Sequence, residues 1–217
     1  ALLAHAAHRG VRLLRDEVIA FDGTGRSAML QLAGGRVIEA DHVVLATGYV
    51  MPEIVKSDLH GTVSSWALAT LPQQPQALWP GRALVWEASE TYAYCRTTSD
   101  GRIVIGGEDE EIADPGQRER LEAKKTRALL GKLSALLPAA APDVGHAWSG
   151  AFGQTADGLP LIGRVPGQPR MLAAYGYGGN GITFSFLASR VIGALVGGRE
   201  APWFADFAID RPNPERA

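Results

Sequence analysis

The chain has 217 residues, a formal net charge of −2 and 46% apolar residues. That is enough apolar chain for a real core, in one large domain or two small ones, and too little positive charge for a general nucleic-acid or membrane-surface binder. A single cysteine, Cys95, excludes an internal disulfide and any cysteine-built zinc site, and suits a reducing, cytoplasmic compartment.

Residues 1–9, ALLAHAAHR, read as the end of a helix stopped by Gly10. VRLLRDEVIAFD reads as a strand with Val18 and Ala20 on one face. AMLQLAGGRVIEA reads as a hairpin turning at Gly34-Gly35, and DHVVLATGY as a buried strand from Val43 to Ala46 that ends in Thr47-Gly48. From Met51 the chain becomes rich in Pro and Gln around a strand-like VSSWALAT. ALVWEAS, TYAYCRTT and RIVIGGED follow as three strands of an antiparallel sheet, with Asp100-Gly101 as a hairpin turn. The charge run from Glu108 to Glu111 reads as solvated loop. PGQRERLEAKKTRALLGKLSALLP is an amphipathic helix, with Pro115 in its first turn and Pro138 beyond its end. Met171-Leu172-Ala173-Ala174 is a short buried strand, and ITFSFLASRVIGALVGG a helix closed by Gly197-Gly198. That last apolar run contains Arg190 and is too short to span a bilayer. The fold class expected is α/β or α+β. The five histidines suggest no metal site, because His5 and His8 share a helix face without a third ligand and the others are isolated.

Between the last strand and the last helix stands YGYGGNG, in which Gly176, Gly178 and Gly181 fit G-x-G-x-x-G. Glu200 even follows where a dinucleotide fingerprint wants an acid. A Rossmann unit must return to a second parallel strand that carries the acid, and no such strand follows here. The turn therefore reads as a cradle for an electron-rich group at a helix N-terminus, rather than as a first βαβ unit. On the strand 91–97, Tyr92, Tyr94 and Arg96 alternate onto one face. They suit a carboxylate if that face is inward and solvent if it is outward. Trp148 and Phe152 read either as core or as site walls. Asp157-Gly158 reads either as an ordinary turn or as a polar contact to a ligand.

DHVVLATG, HAWSGAFGQTADGLPLIGRVPG, MLAAYGYGGNGITFS and FAIDR, in that order, resemble the C-terminal portion of the D-amino-acid oxidase superfamily, the group of glycine oxidase and sarcosine oxidase. The resemblance implies part of a Rossmann-like FAD domain, residues 1–49 and 150–217, and an antiparallel substrate sheet with a long helix, residues 50–149. It implies an oxidoreductase that takes hydride from the carbon beside an amine or amino-acid nitrogen. Gly178, Gly179, Asn180, Gly181 and Ile182 would lie against the flavin, backbone N–H groups stabilising negative charge on the reduced ring. Thr47 and Gly48 would meet the cofactor at the end of the ATG strand, Val18 would contact adenine through its backbone, and Asp157 would hydrogen-bond nearby. Tyr92, Tyr94, Arg96, Trp148 and Phe152 would face the substrate.

Two departures qualify the resemblance. Phe152 stands where glycine-oxidase-like members carry an arginine for the substrate carboxylate. Gly150 stands where sarcosine-oxidase-like members attach flavin through cysteine, so the FAD expected is non-covalent, with Cys95 a packed strand residue. The family's opening strand and true G-x-G-x-x-G have no counterpart here. The chain is thus expected to be a portion of a longer enzyme, holding FAD weakly or not at all alone. A binding module without catalysis is the alternative, as is a subunit completed by another chain. Self-association through an uncovered sheet is expected as well.

Overall fold

The computed structural model describes residues 1–55, 57–89 and 92–213. After α1 (Leu2–His8), residues 11–17 join no strand, and the strand read from VRLLRDEVIAFD is only its second half. β1 (Val18–Asp22), β2 (Ala28–Leu32) and β3 (Val37–Ala40) make an antiparallel sheet in that order, with the expected turn at Gly35. β4 (Val43–Leu45) leaves this sheet and enters another. There it runs parallel to β11 (Gln168–Tyr175), whose other edge carries the antiparallel β10 (Leu161–Val165). β4 is less buried than its sequence suggests: Leu45 is covered, but Val44 is 43% exposed.

The larger sheet contains β5 (His60–Thr70), β6 (Val85–Trp86), β7 (Ala93–Thr97), β8 (Ile103–Glu110) and β9 (Val144–Thr155), all antiparallel, in the order β6-β7-β8-β5-β9. β9 pairs with β5 along its whole length, so the domain boundary expected at residue 150 falls inside a strand. α2 (Pro115–Leu136) begins where Asp114 accepts a hydrogen bond from the N–H of Gln117 at 2.6 Å, with proline in the first turn. It lays Leu129 and Leu133 on Trp66, Leu68, Cys95, Ile103 and Ile105. Apolar side chains that leave water here contribute about 25 cal/mol per Å² of buried area, which is why one face of the sheet is closed.

Of the acidic run only Glu111 is exposed loop; the rest is not. β8 continues through it to Glu110, and the helix brings Lys125 to meet it. Lys125 Nζ lies 2.6 Å from Glu110, 3.5 Å from Glu108 and 4.9 Å from the centroid of Trp66, and it donates to the Glu108 carbonyl at 2.8 Å. Lys132 holds Glu108 at 2.7 Å. A lysine that is 5% exposed needs such partners, because a buried charge without them is expelled or neutralised.

α3 (Gly181–Val196) packs Ala188, Val191 and Leu195 on Ile162, Leu172 and Ala174. Among the described residues, no helix is long and apolar enough to cross a membrane.

Candidate functional site

The ends of β4, β9 and β11 and the first turns of α3 enclose a cavity of about 540 Å³. Val44, Ala46 and Gly48 line it from one side, Ala151, Phe152 and Gly153 from a second, and Tyr175, Gly176, Tyr177 and Gly178 from a third. Gly181, Ser185 and Ala188 close it from the helix. The glycine turn is held open by the protein itself. Gly178 takes φ +52°, a conformation that costs a side-chain-bearing residue, and its N–H donates to the Gly153 carbonyl at 2.8 Å. The N–H of Asn180 donates to the Tyr177 carbonyl at 3.1 Å.

These two bonds correct part of the sequence expectation. Gly178 and Asn180 spend their N–H groups internally, whereas Gly179, Gly181 and Ile182 precede the first helical acceptor and keep theirs free of backbone partners. The Asn180 side chain makes no capping bond. A Cβ built on Gly48, Gly179 or Gly181 would meet nothing within 4 Å, so bare backbone faces open space. A flat, electron-rich ring can approach such a surface, and the positive end of a helix dipole lies beside it.

Three other residues expected to meet the cofactor do not line this cavity, among them Val18, whose expected contact is with the adenine end and not with the flavin ring. Val18 begins β1, in a sheet that does not line the cavity. Thr47 Oγ1 donates to the Val50 carbonyl at 2.7 Å and so closes its own turn. Both carboxylate oxygens of Asp157 accept from Arg211, at 2.7 Å and 2.8 Å, and Oδ1 also accepts from the N–H of Leu159. The Arg211 guanidinium holds the Asp157 carboxyl below the usual carboxylate range. Asp157 thus fastens a turn to the C-terminal segment, and it does not line the cavity.

The face of the larger sheet away from α2 is open, and it gathers the predicted substrate residues. Register sets this. Tyr94 lies opposite Gly106, Gly106 opposite Ala67, and Ala67 opposite Trp148. Arg96 lies opposite Val104 and Phe152 opposite Val63, with the same parity. The Tyr94 ring rests on Gly106, where a Cβ would strike the phenol. Phe152 is the predicted substrate residue that also lines the cavity, so the face runs into the cradle there. Cys95 points the other way and is packed under α2, where burial pushes its thiol pKa up.

Two features were not visible in the sequence. Asp109, inside the acidic run, accepts a 2.7 Å hydrogen bond from the Tyr92 hydroxyl. His60 packs edge-on against Tyr175, ring centroids 5.2 Å apart, beneath the cradle strand β9. Its Nε2 and the Tyr175 hydroxyl are buried without hydrogen-bond partners. Burial lowers the His60 pKa and pushes the Tyr175 phenol up to about 12. Nothing in the sequence around His60 distinguishes it from an isolated surface histidine.

A sequence profile of the family described as FAD dependent oxidoreductase matches residues 1–195. Gamma-glutamylputrescine oxidoreductase of Escherichia coli K12 is 28% identical over 187 residues, which cover 83% of this chain and 42% of that protein. Glycine oxidase of Bacillus licheniformis is 25% identical over 225 residues, covering 97% of this chain and 58% of that one. Among solved structures, glycine oxidase from Geobacillus kaustophilus superposes with a TM-score of 0.75 at 25% identity, over 95% of this chain and 55% of that one. The chain spans about half the length of the relatives it matches.

Proposed function

The chain belongs to the FAD dependent oxidoreductase family, and from that premise we propose that it forms the flavin-ring cradle and substrate face of an enzyme that oxidises the C–N bond of an amine or amino acid. The observation that carries this reading is the glycine-lined cavity, whose bare backbone at Gly48 and Gly181 opens beside the N-terminus of α3. FAD, when bound, supplies a two-electron acceptor for the hydride leaving the carbon beside nitrogen. The N–H groups of Gly179, Gly181 and Ile182 would hold the pole of the ring that gains negative charge, with the helix dipole adding to them. The apolar walls, Val44, Ala151, Phe152 and Ala188, exclude water, which strengthens those dipoles. Phe152 and Trp148 position the substrate on the open face by area and shape rather than by charge. Cys95 lies under α2, away from the cavity, which favours a non-covalent cofactor.

The carboxylate role expected of the Tyr92, Tyr94 and Arg96 face weakens on this geometry. The Tyr92 hydroxyl is committed to Asp109, which would repel a carboxylate, and Arg96 projects from an exposed position two residues beyond Tyr94. The reading is tested by mixing the purified chain with FAD, desalting it and recording the visible spectrum. A retained flavin band is expected, in place of the weak hold expected from the sequence, because the glycine turn is already held open by the Gly178 to Gly153 hydrogen bond. A colourless protein fraction at saturating FAD overturns the claim that these residues suffice to hold the ring.

A further inference from the structure

The open sheet face ends, at its β6–β7 edge, in a cluster that the reaction itself does not need. Trp86 and Tyr94 are cross-strand partners, 64% and 39% exposed. The Tyr92 ring stands 6.0 Å from Trp86 and 6.3 Å from Tyr94, centroid to centroid. Beneath them lies Asp109. Its Oδ2 receives the Tyr92 hydroxyl, but its Oδ1 is buried and without a hydrogen-bond partner. Backbone geometry puts it there. Glu110 pairs with Ser64 and Gly107 with Trp66, so Glu108 and Asp109 together oppose Ser65 alone, and Glu108 takes φ +60°. Such a bulge re-aims side chains. It sends Glu108 to the lysines under α2, while Asp109 joins the tyrosines.

An unpaired carboxylate oxygen removed from water is destabilising, and a nearby cation relieves that cost. Aromatic rings attract the same cation through their faces. We infer that Trp86, Tyr92, Tyr94 and Asp109 form a subsite for an alkylammonium group, the distal cationic end of an elongated amine substrate. The charge that would draw a carboxylate instead, Arg96, lies opposite Val104, on the far side of Tyr94 from Asp109. The floor between the subsite and the cradle is small: Ser65, Ala67 and Gly150. Two interstrand spacings, about 10 Å, separate the Asp109 position from β9, so the second cation sits several bonds from the carbon that is oxidised. The substrate end of this inference rests on the proposed function, whereas the cation site stands on its own geometry.

Isothermal titration of the full chain with n-hexylammonium and with hexanoate tests it. These probes match in length and differ in charge. The ammonium is expected to bind and the carboxylate not to. Asp109→Asn, which keeps an acceptor for the Tyr92 hydroxyl, is expected to weaken ammonium binding at least about ten-fold. Tyr92→Phe frees the second oxygen, and it is expected to keep or tighten binding, which a general loss of fold would not do. Preference for hexanoate, no binding of either probe, or an Asp109→Asn variant that binds ammonium normally overturns the inference. Running the FAD-retention assay on the same samples separates the two claims. Flavin retained without ammonium binding sinks the subsite alone, and ammonium binding without flavin sinks the cradle alone.

Discussion

Replacing Arg211 by methionine is expected to lower stability by about 3 kcal/mol, the range in which removing one partner of a buried ion pair leaves an uncompensated charge. The structure shows why the cost is high. The Arg211 side chain is 7% exposed and that of Asp157 16%, so solvent screens the pair little. The guanidinium also donates to the carbonyls of Leu159, Pro160 and Ala208, at 2.7 Å, 3.1 Å and 3.2 Å. For a chain of this size, each kcal/mol moves Tm by about 2–4 °C, so a fall of roughly 6–12 °C is expected at neutral pH by circular dichroism. The effect carries a pH signature. Arg211 lowers the folded-state pKa of Asp157. The stabilisation is therefore complete above the ordinary carboxylate pKa and is lost as pH falls through the lower folded value. The gap between parent and variant should shrink in acid. Adding Asp157→Asn to the variant should recover part of the loss, since no orphan charge remains. A Tm change below about 2 °C at neutral pH, or a gap that does not narrow in acid, would refute the reasoning.

Gly181→Ala should separate fold from cradle. The new Cβ meets nothing, and alanine favours the helix, so stability should rise by up to about 1 kcal/mol in urea while flavin retention falls; a variant that holds FAD as the parent does would place the ring elsewhere. Lys125→Ala should cost about 1–3 kcal/mol in the same assay, since it removes the buried ammonium's bonds while Glu110 stays 40% exposed and Glu108 keeps Lys132, and an unchanged urea midpoint would show that the buried lysine contributes nothing. Tyr92, Tyr94, Tyr175 and Tyr177 are all raised above the ordinary phenol value, burial being the first cause in each. Ultraviolet titration should therefore show most tyrosinate appearing late. Because the folded values are raised, the stabilisation is present below the ordinary phenol pKa and is lost as pH rises through the folded ones, so alkaline unfolding should accompany the change. Tyrosines that titrate together at the free-phenol value would contradict their burial.

The elements legible in the sequence were those written in local chemistry. Asp114-Pro115 announces α2, Gly34-Gly35 and Asp100-Gly101 announce hairpins, and the glycine run before Ile182 announces the turn into α3. What could not be read depends on partners far along the chain. Asp157 looked free because Arg211 stands 54 residues away. That Tyr94 lies on the open face, away from α2, is decided by its register against Gly106, which no periodicity reveals. Glu108 to Glu111 looked like a surface run because the lysine that neutralises it arrives on a helix that follows. β9 hid behind its composition, since HAWSGAFGQT carries two glycines and small residues that lower strand propensity, and it is a strand because β5 offers it an unbroken ladder.

β9 carries Trp148 on the proposed substrate face, and five residues later its Gly153 carbonyl pins the glycine turn. One uninterrupted strand therefore acts as a ruler of about 17 Å between the two halves of the site. A ruler of this kind tolerates exchange of its markings but not a change of length. Inserting or deleting one residue between these points would turn every side chain on one flank over and shift the pinning carbonyl by a full rise. Attempts to retune specificity should accordingly work on the neighbouring floor, at Ser65 and Ala67, and keep the residue count of β9 fixed. Lineages that diverge in substrate should likewise show substitutions along this strand, with insertions confined to the loops on either side of it.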